Sequence, residues 1–336
     1  MSQDGSLISF CIPTYNRAPF LEALLRALVE DKGALPVEIV VSDNCSTDRT
    51  GKILEEYSGR HGVRYSRNGE NLGAVRNVLK VMGMAKGEYL WILGDDDLIV
   101  PGITPYVTNL LGRKEEMAYL FVPRMGVDVN LNPLTGRTQP ENLKQDVFFE
   151  DGRDMFMAFN GEMSDVMGFL SSTILRRDLW EDACNRYDGP VDNWIVLQVM
   201  LHILPGRRCC IPGKLGIFTR VGNSIAGRDS RIWLDEMINV YLAAMNLGYP
   251  PLFCEEKIRA LFRGNAMKFV VNKAEGRRGG NLLSVGRDLG VEKLVERRFP
   301  FYHLSFLPKS LLRPALWVRS ARRVFRVHSR TAAKNS

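Results

Sequence analysis

Residues 89–97 read Tyr89-Leu90-Trp91-Ile92-Leu93-Gly94-Asp95-Asp96-Asp97. The apolar run Tyr89 to Leu93 has the length of a buried strand. Three carboxylates at its end are costly, because like charges this close repel one another and resist desolvation. A divalent cation relieves that cost. Hard cations such as Mg²⁺ take oxygen ligands, often one or two carboxylates together with substrate phosphates. The crevice beyond the carboxyl ends of parallel strands is also where open α/β sheets bind ligands. A solvated acidic turn is the competing reading of the triplet taken alone.

Outward from this stretch, strand and helix signals alternate. Leu7 to Ile12 is a short apolar run ended by Pro13. Leu21, Leu24, Leu25 and Leu28 follow at helical spacing, just after Pro19. Val37 to Val41 is a second β-branched run, closed by Ser42-Asp43-Asn44, and Ser46 or Thr47 is placed to cap a helix running to about Tyr57. Val63 to Ser66 reads as a third strand and Gly73 to Ala85 as a helix. A further helix is expected after Pro101 and a strand at Ala118 to Val122. Regular alternation of this kind predicts an α/β fold with a doubly wound, mostly parallel sheet flanked by helices.

After Pro123 the alternation fades. Residues 124 to 150 read as a long connection. Gly168 to Leu175 reads as a strand, Asn193 to Leu204 as a helix, and Leu215 to Val221 as a strand followed by Gly222-Asn223-Ser224. Trp233 to Leu247 and Glu255 to Lys273 read as helices. The domain bounds expected are 1–228 for the ligand-binding and catalytic body, 229–296 for a helical extension and 297–336 for a basic amphipathic tail.

Composition narrows the class. Of 336 residues, 45% are hydrophobic and 25% charged, as in a soluble globular protein. The formal net charge is +7. Residues 297–336 hold ten Lys/Arg and no acidic residue, which leaves 35 basic against 38 acidic side chains on the rest. The basicity belongs to the tail, which argues against nucleic acid as a partner of the body. The six cysteines form no C-x-x-C pair, and the four histidines are scattered, so neither a zinc site nor a disulfide framework is expected. Free thiols, no leader pattern and no long uncharged apolar run point to the cytoplasm and to no membrane-spanning helix.

Four elements line up at strand ends: Pro13-Thr14-Tyr15-Asn16, Asp43, Asn71-Leu72-Gly73 with Arg76-Asn77, and the Asp triplet followed by Pro101. Their order and spacing resemble the family 2 glycosyltransferases of GT-A fold, inverting enzymes that use nucleotide-activated sugars. The stretch from Gly168 to Trp180 is similar to the acceptor side of bacterial members that build surface polysaccharides. The resemblance runs over about residues 7–225.

That resemblance implies a set of roles. Pro13, Thr14, Tyr15 and Asn16 would contact the nucleoside, with Thr14 donating a hydrogen bond and Tyr15 stacking. Asp43 would accept an imide N–H of the base, favouring UDP or dTDP donors, with GDP as the alternative. Asp96 and Asp97 would hold Mn²⁺ or Mg²⁺, while Asp95 would reach the ribose or order the loop, and Arg76 would add positive charge near the phosphates. An inverting transfer needs a general base; Asp192, before Asn193-Trp194, occupies that place, with Asp188 as the alternative and helix capping as its competing role. Trp180, Arg220, Asn223 and Ser224 fall where relatives meet the acceptor or close over the diphosphate, with a buried anchor as the favoured reading of Trp180 over sugar stacking. The processive-synthase signature is absent, so transfer of a single sugar is expected, to an acceptor that is a lipid-linked saccharide of O-antigen, capsule or exopolysaccharide synthesis.

The tail between Phe299 and Val318 interleaves apolar and aromatic groups, including Trp317. Arg313, Arg319, Arg322, Arg323 and Arg326 supply charge, and Pro308 and Pro314 break the run. Short interfacial segments on an anionic membrane, at the cytoplasmic face of the inner membrane, are expected; packing on the body is the competing reading. Two rival functions remain: a non-catalytic sugar-binding scaffold, against which the intact triplet and Asp43 speak, and a sugar-phosphate nucleotidyltransferase, whose glycine-rich first turn Pro13-Thr14-Tyr15-Asn16-Arg17 lacks.

Overall fold

The computed structural model describes residues 5–113, 116–140, 144–158, 167–221, 230–274 and 290–295. The chain divides into two units, 1–225 and 226–336.

In the first unit, β1 (Ile8–Thr14), α1 (Ala18–Lys32), β2 (Val37–Asp43), α2 (Thr50–His61), β3 (Arg64–Arg67), α3 (Ala74–Met84) and β4 (Tyr89–Ile92) follow the expected alternation. β5 (Leu98–Ile99), α4 (Ile103–Leu111), β6 (Tyr119–Phe121), β7 (Arg124–Val127), β8 (Pro133–Gln139), β9 (Val147–Phe149) and α5 (Gly152–Ala158) come next. The remainder is β10 (Thr173–Arg176), α6 (Arg177–Arg186), α7 (Ile195–Ile203), β11 (Cys209–Ile211) and β12 (Ile217–Arg220).

The main sheet has eight strands in the order β3-β2-β1-β4-β10-β6-β11-β9. β1 pairs in parallel with β2 and β4, and β2 with β3. β10 enters antiparallel between β4 and β6, and β9 closes the far edge antiparallel to β11. The sheet is therefore mostly parallel, with two reversed strands. Alternation along the strands sorts the two faces. Ile8, Phe10, Ile12, Tyr89, Trp91 and Leu93 face one core with Leu21, Leu24, Leu25 and Leu28 of α1 and Val107 and Leu110 of α4. On the other face α3 packs against β1 and β2 through its buried Val78, Val81 and Met82.

Several local expectations need correction. Ser46 and Thr47 do not cap α2. The helix begins at Thr50, and Asp48 takes both starts, its Oδ1 accepting Thr50 N at 3.0 Å and its Oδ2 accepting Ala18 N at 3.0 Å. Gly168 to Leu175 is not one strand: Leu170–Ser172 forms a 3₁₀ turn before β10. Residues 124–150 are not a plain connection. They supply β7, β8 and β9, and the first two join β5 and β12 in a second sheet of order β5-β12-β7-β8. β5 begins one residue after Asp97, so the acidic triplet lies where the main sheet hands over to this second sheet.

In the second unit, α8 (Ser230–Asn246) buries Leu234, Met237, Ile238, Tyr241 and Ala244 at helical spacing, and α9 (Pro251–Ala274) packs against it with Cys254, Ile258 and Phe262. No helix among the described residues is long and apolar enough to cross a membrane. Asn223, Ser224 and the tail 297–336 lie outside the described residues.

Candidate active site

The triplet follows β4 immediately, and its charges are met from three distant segments. Thr14 Oγ1 donates to Asp95 Oδ2 at 2.8 Å, and Arg17 Nη1 reaches Asp95 Oδ1 at 3.1 Å and Asp96 Oδ2 at 2.9 Å. Ser171 Oγ donates to Asp97 Oδ2 at 2.5 Å, and Arg220 N donates to Asp97 Oδ1 at 3.3 Å. The Arg220 guanidinium donates to the Asp96 carbonyl and stacks 5.1 Å from the Phe20 ring. The guanidiniums whose charge acts on the triplet's carboxylates are those of Arg17 and Arg124, while Arg220 contributes hydrogen bonds and Arg76 sits in the first turn of α3.

Ser171 is held on three sides. Its carbonyl accepts Trp91 Nε1 at 3.0 Å, and its hydroxyl accepts Gly94 N at 2.9 Å while donating to Asp97. The 3₁₀ turn is what brings this hydroxyl under the carboxylate. A continuous strand through 168–175 has no reason to place it there.

Burial dominates the electrostatics. It pushes the Asp97 carboxyl up to about 7, against the Ser171 hydrogen bond and with help from the Asp96 charge. It pushes Asp95 up to about 6, against Arg17 and Thr14. Carboxyls held this high near neutrality are ready to exchange a proton for a cation.

The triplet's donor set fits a hard divalent ion. Among the described residues no three His, Cys, Asp or Glu side chains form a metal cage. A hard cation can also be held by one or two carboxylates and completed by phosphates and water. Asp95 is committed to Thr14 and Arg17, so its place is in ordering the loop. Asp96, with the most exposed side chain of the three at 16%, and Asp97 would hold the ion.

The neighbouring strand ends shape a shallow cleft lined by Arg67, Asn68, Gly69, Glu70, Leu72 and Lys80. Asp43, at the end of β2 and 3.6 Å from the Arg67 guanidinium that lines the cleft, is fully buried. Its Oδ1 accepts Ser46 N at 2.9 Å; its buried Oδ2 has no hydrogen bond, with Arg67 Nε 3.6 Å away. A buried carboxylate oxygen left without a donor is suited to an incoming N–H. A network of amides frames these strand ends. Asn44 Nδ2 donates to Asn71 Oδ1 at 2.7 Å, and its Oδ1 accepts Asn68 Nδ2 and Leu72 N at 2.9 Å each. Asn77 Oδ1 accepts Ser42 Oγ at 2.7 Å and Asn68 Nδ2 at 3.0 Å.

The first-strand turn divides its labour. Thr14 is 2% exposed and its hydroxyl is spent on Asp95, so its side chain serves the triplet rather than a nucleoside. Tyr15 is 42% exposed and open to stacking. Pro13 is half-buried. Asn16 takes the left-handed conformation, at φ 52°, and its Oδ1 accepts Thr47 N at 2.7 Å. Asparagine tolerates that conformation better than most residues.

Asp192 stands in a second corner. Its Oδ1 accepts Trp194 N at 2.8 Å, just ahead of α7, and Gln198 Nε2 lies 3.1 and 3.0 Å from its two oxygens. It is half-buried, and burial raises its carboxyl above the usual range against these donors. Capping and base roles are both compatible with this geometry. Asp188 is exposed. The two corners are joined by a short stretch: a Cβ on Gly168 would fall 2.0 Å from the Trp194 ring, so only glycine lets the chain pass there, and three residues later comes Ser171 beneath Asp97. Trp180 is 5% exposed within α6, which makes it a core anchor and not a sugar-stacking surface.

Arg17, Ser171 and Gln198 were not singled out from the sequence. A guanidinium next to the first-strand turn was the one signal at hand. The serine and the glutamine carried none.

Residues 9–171 match the family model described as glycosyl transferase family 2. The chain is 32% identical over 210 residues to abequosyltransferase RfbV of Salmonella typhimurium, covering 60% of this chain and 62% of RfbV. The chain thus spans about three fifths of the length of that curated relative. Among solved structures, S. aureus TarS in complex with UDP aligns with a TM-score of 0.62 at 18% identity, over 89% of this chain and 86% of that one. The mannosyltransferase PcManGT of Pyrobaculum calidifontis, in complex with GDP-Man and Mn²⁺, aligns at 0.51 and 16%, over 91% and 84%. These two likenesses are of fold.

Proposed function

We propose that the protein, whose residues 9–171 match the glycosyl transferase family 2 model, transfers a single sugar, with inversion, from a nucleoside-diphosphate sugar to an acceptor hydroxyl. The observation that carries this is the triplet: two buried carboxyls raised toward neutrality at the carboxyl end of β4, one strand away from Asp43 with its unbonded buried oxygen.

The residues take the following parts. Asp43 accepts the imide N–H of the base, which favours uridine or thymidine donors over cytidine and leaves guanosine as the alternative. Tyr15 covers the nucleoside, and Pro13 and Asn16 shape its turn. Asp96 and Asp97 hold Mn²⁺ or Mg²⁺; bound there, the ion neutralises the charge that builds on the diphosphate leaving group. Arg220 keeps the loop closed under it, and Arg76 adds positive charge for the phosphates; the parts that the resemblance gives Asn223 and Ser224 lie outside the described residues. Asp192 takes the acceptor proton, with Asp188 as the alternative.

RfbV is named an abequosyltransferase and TarS a poly(ribitol-phosphate) β-N-acetylglucosaminyltransferase, so both are named as sugar transferases and TarS as acting on a polymer. That supports a saccharide acceptor in surface-polysaccharide synthesis, here lipid-linked. The basic, aromatic tail 297–336 would then hold the enzyme on anionic lipid at the cytoplasmic face, each basic group adding about 1 kcal/mol near the surface.

The test is turnover of a panel of nucleotide sugars with Mn²⁺, with Mg²⁺ and in EDTA, with the anomeric configuration of the product read by NMR. Release of UDP or dTDP dependent on a divalent ion is expected. No turnover of any nucleotide sugar, or consumption of a sugar phosphate with a nucleoside triphosphate, would overturn the proposal. Liposome sedimentation of the chain cut after Arg298 tests the tail separately: binding should be lost and, in the full chain, fall with salt.

A further inference from the structure

The corner around Asp192 is more closely built than a helix cap requires. Gln198 is 2% exposed, on the first turns of α7, yet its amide points away from the apolar core toward Asp192. A carboxylate accepts and does not donate, so the nitrogen of Gln198 must face it. That leaves Gln198 Oε1 needing a donor, and the Tyr187 hydroxyl is in place to supply its single proton, for which the Pro190 carbonyl at 2.9 Å is the competing acceptor. The Tyr187 ring reaches this position because residue 189 has no side chain: a Cβ there would lie 2.5 Å from the Tyr187 hydroxyl oxygen and 2.6 Å from Cζ. The chain 187–192 therefore wraps the tyrosine, and the tyrosine sets the amide that sets Asp192.

We propose that Gln198 is a positioning residue for the transfer: its side-chain amide, aligned by Tyr187, holds the Asp192 carboxylate ionised and in one orientation for the acceptor hydroxyl. This rests on Asp192 being the base. In the step it serves, the acceptor oxygen forms its bond to the anomeric carbon as the bond from that carbon to the diphosphate oxygen breaks. The acceptor proton passes to Asp192, and the bonding pair leaves with the nucleoside diphosphate. Neutral donors suit this task. A guanidinium in the same place would bind the carboxylate too tightly for it to take a proton, whereas an amide fixes it and opposes the effect of burial without adding charge.

The charged and titratable neighbours of this corner are Tyr187, Asp188, Arg186 at the end of α6 and His202 on α7. Burial, with the charges of Asp192 and Asp188, raises Tyr187 far above neutrality, so it stays a donor. Burial and Arg186 lower His202, so an upward shift in an acid limb would not come from its titration.

The experiment is the pH profile of kcat and the donor KM for Gln198→Leu and Gln198→Glu. In Gln198→Leu the carboxyl loses two contacts, and the acid limb should move up by about one pH unit, so that kcat on the acid side of the limb falls roughly tenfold. In Gln198→Glu two carboxyls share the site, and the limb should move up further. Donor KM and nucleoside diphosphate affinity by calorimetry should stay unchanged in both. Tyr187→Phe should shift the limb in the same direction and by less. If Gln198→Leu fails to fold, Gln198→Glu, which keeps the size, decides. A wild-type acid limb in Gln198→Glu, or a loss confined to the melting temperature, would overturn the positioning role. Full activity of Asp192→Asn would instead show that the base reading had failed.

Discussion

The two acidic corners of this domain are held by different chemistry. Asp95, Asp96 and Asp97 are met by Arg17, by Arg220 and by the hydroxyls of Thr14 and Ser171. Asp192 is met by a backbone N–H and a glutamine amide. The Arg17 guanidinium offsets only part of what burial does to Asp95, and Asp95 and Asp97 stay raised toward neutrality, which on the proposed reading suits a place where a metal replaces protons. Amides hold a carboxylate without neutralising it, which suits a group that must accept a proton and give it up again. On the proposed reading, one corner would manage charge and the other would move a proton.

Exchanging the acids tests that contrast. Asp192→Asn keeps the size and the cap to Trp194 but removes the basicity. It should lower kcat by about 10²–10⁴-fold with donor affinity unchanged, measured by steady-state kinetics beside calorimetry. An effect on donor binding instead would make the two corners alike.

The triplet should lose less in chemistry and more in metal response. Asp97→Asn should cost about a hundredfold in kcat, the equivalent of losing roughly 3 kcal/mol of leaving-group stabilisation, and should raise the Mn²⁺ concentration needed for half activity. An unchanged Mn²⁺ titration would remove Asp97 from the metal site.

Asp43 belongs to neither corner. Asp43→Ala should weaken uridine diphosphate binding about ten- to a hundredfold, since a charge-assisted hydrogen bond is worth about 1.5–3 kcal/mol. Turnover at saturating donor should be nearly unchanged. Equal affinity of the wild type for the uridine, guanosine and cytidine diphosphates would count against a base-reading role.

The smallest effect is on stability. Asp95 and Asp97 are raised in the folded chain to about 6 and about 7, above the ordinary carboxyl range of the unfolded chain. Between those limits the folded state binds more protons, so its stability falls as pH rises through this window. In EDTA the melting temperature should therefore be higher at pH 5.5 than at pH 8, and Asp97→Asn should flatten that slope. A triplet whose melting point rises with pH would contradict the burial seen here.

Much of the body was legible because its signals are local. Apolar runs ended by Pro13, Asp43 and the triplet marked β1, β2 and β4, and leucines at helical spacing marked α1. Asp192 was legible only through the family resemblance, which puts a base just before a helix with an aromatic. The second sheet was missed since β5 has two residues and β7 begins with an arginine and carries a glycine, too little for a periodic signal. The turn at Leu170–Ser172 was read as strand because its apolar neighbours suit either state.

The sequence by itself determined the elements, the mostly parallel sheet and the carboxylates at its strand ends, because hydrophobic period and turn chemistry act over a few residues. Tertiary structure alone decided who meets those carboxylates. Arg17 reaches Asp95 across 78 positions of the chain, Ser171 reaches Asp97 across 74 and Arg220 reaches Asp96 across 124. The antiparallel entry of β10 beside β4 carries Ser171 to the triplet, and the packing of Gly168 on Trp194 joins that turn to the corner of Asp192. Such pairings follow from how a whole sheet closes over its core, and no window of sequence contains both partners.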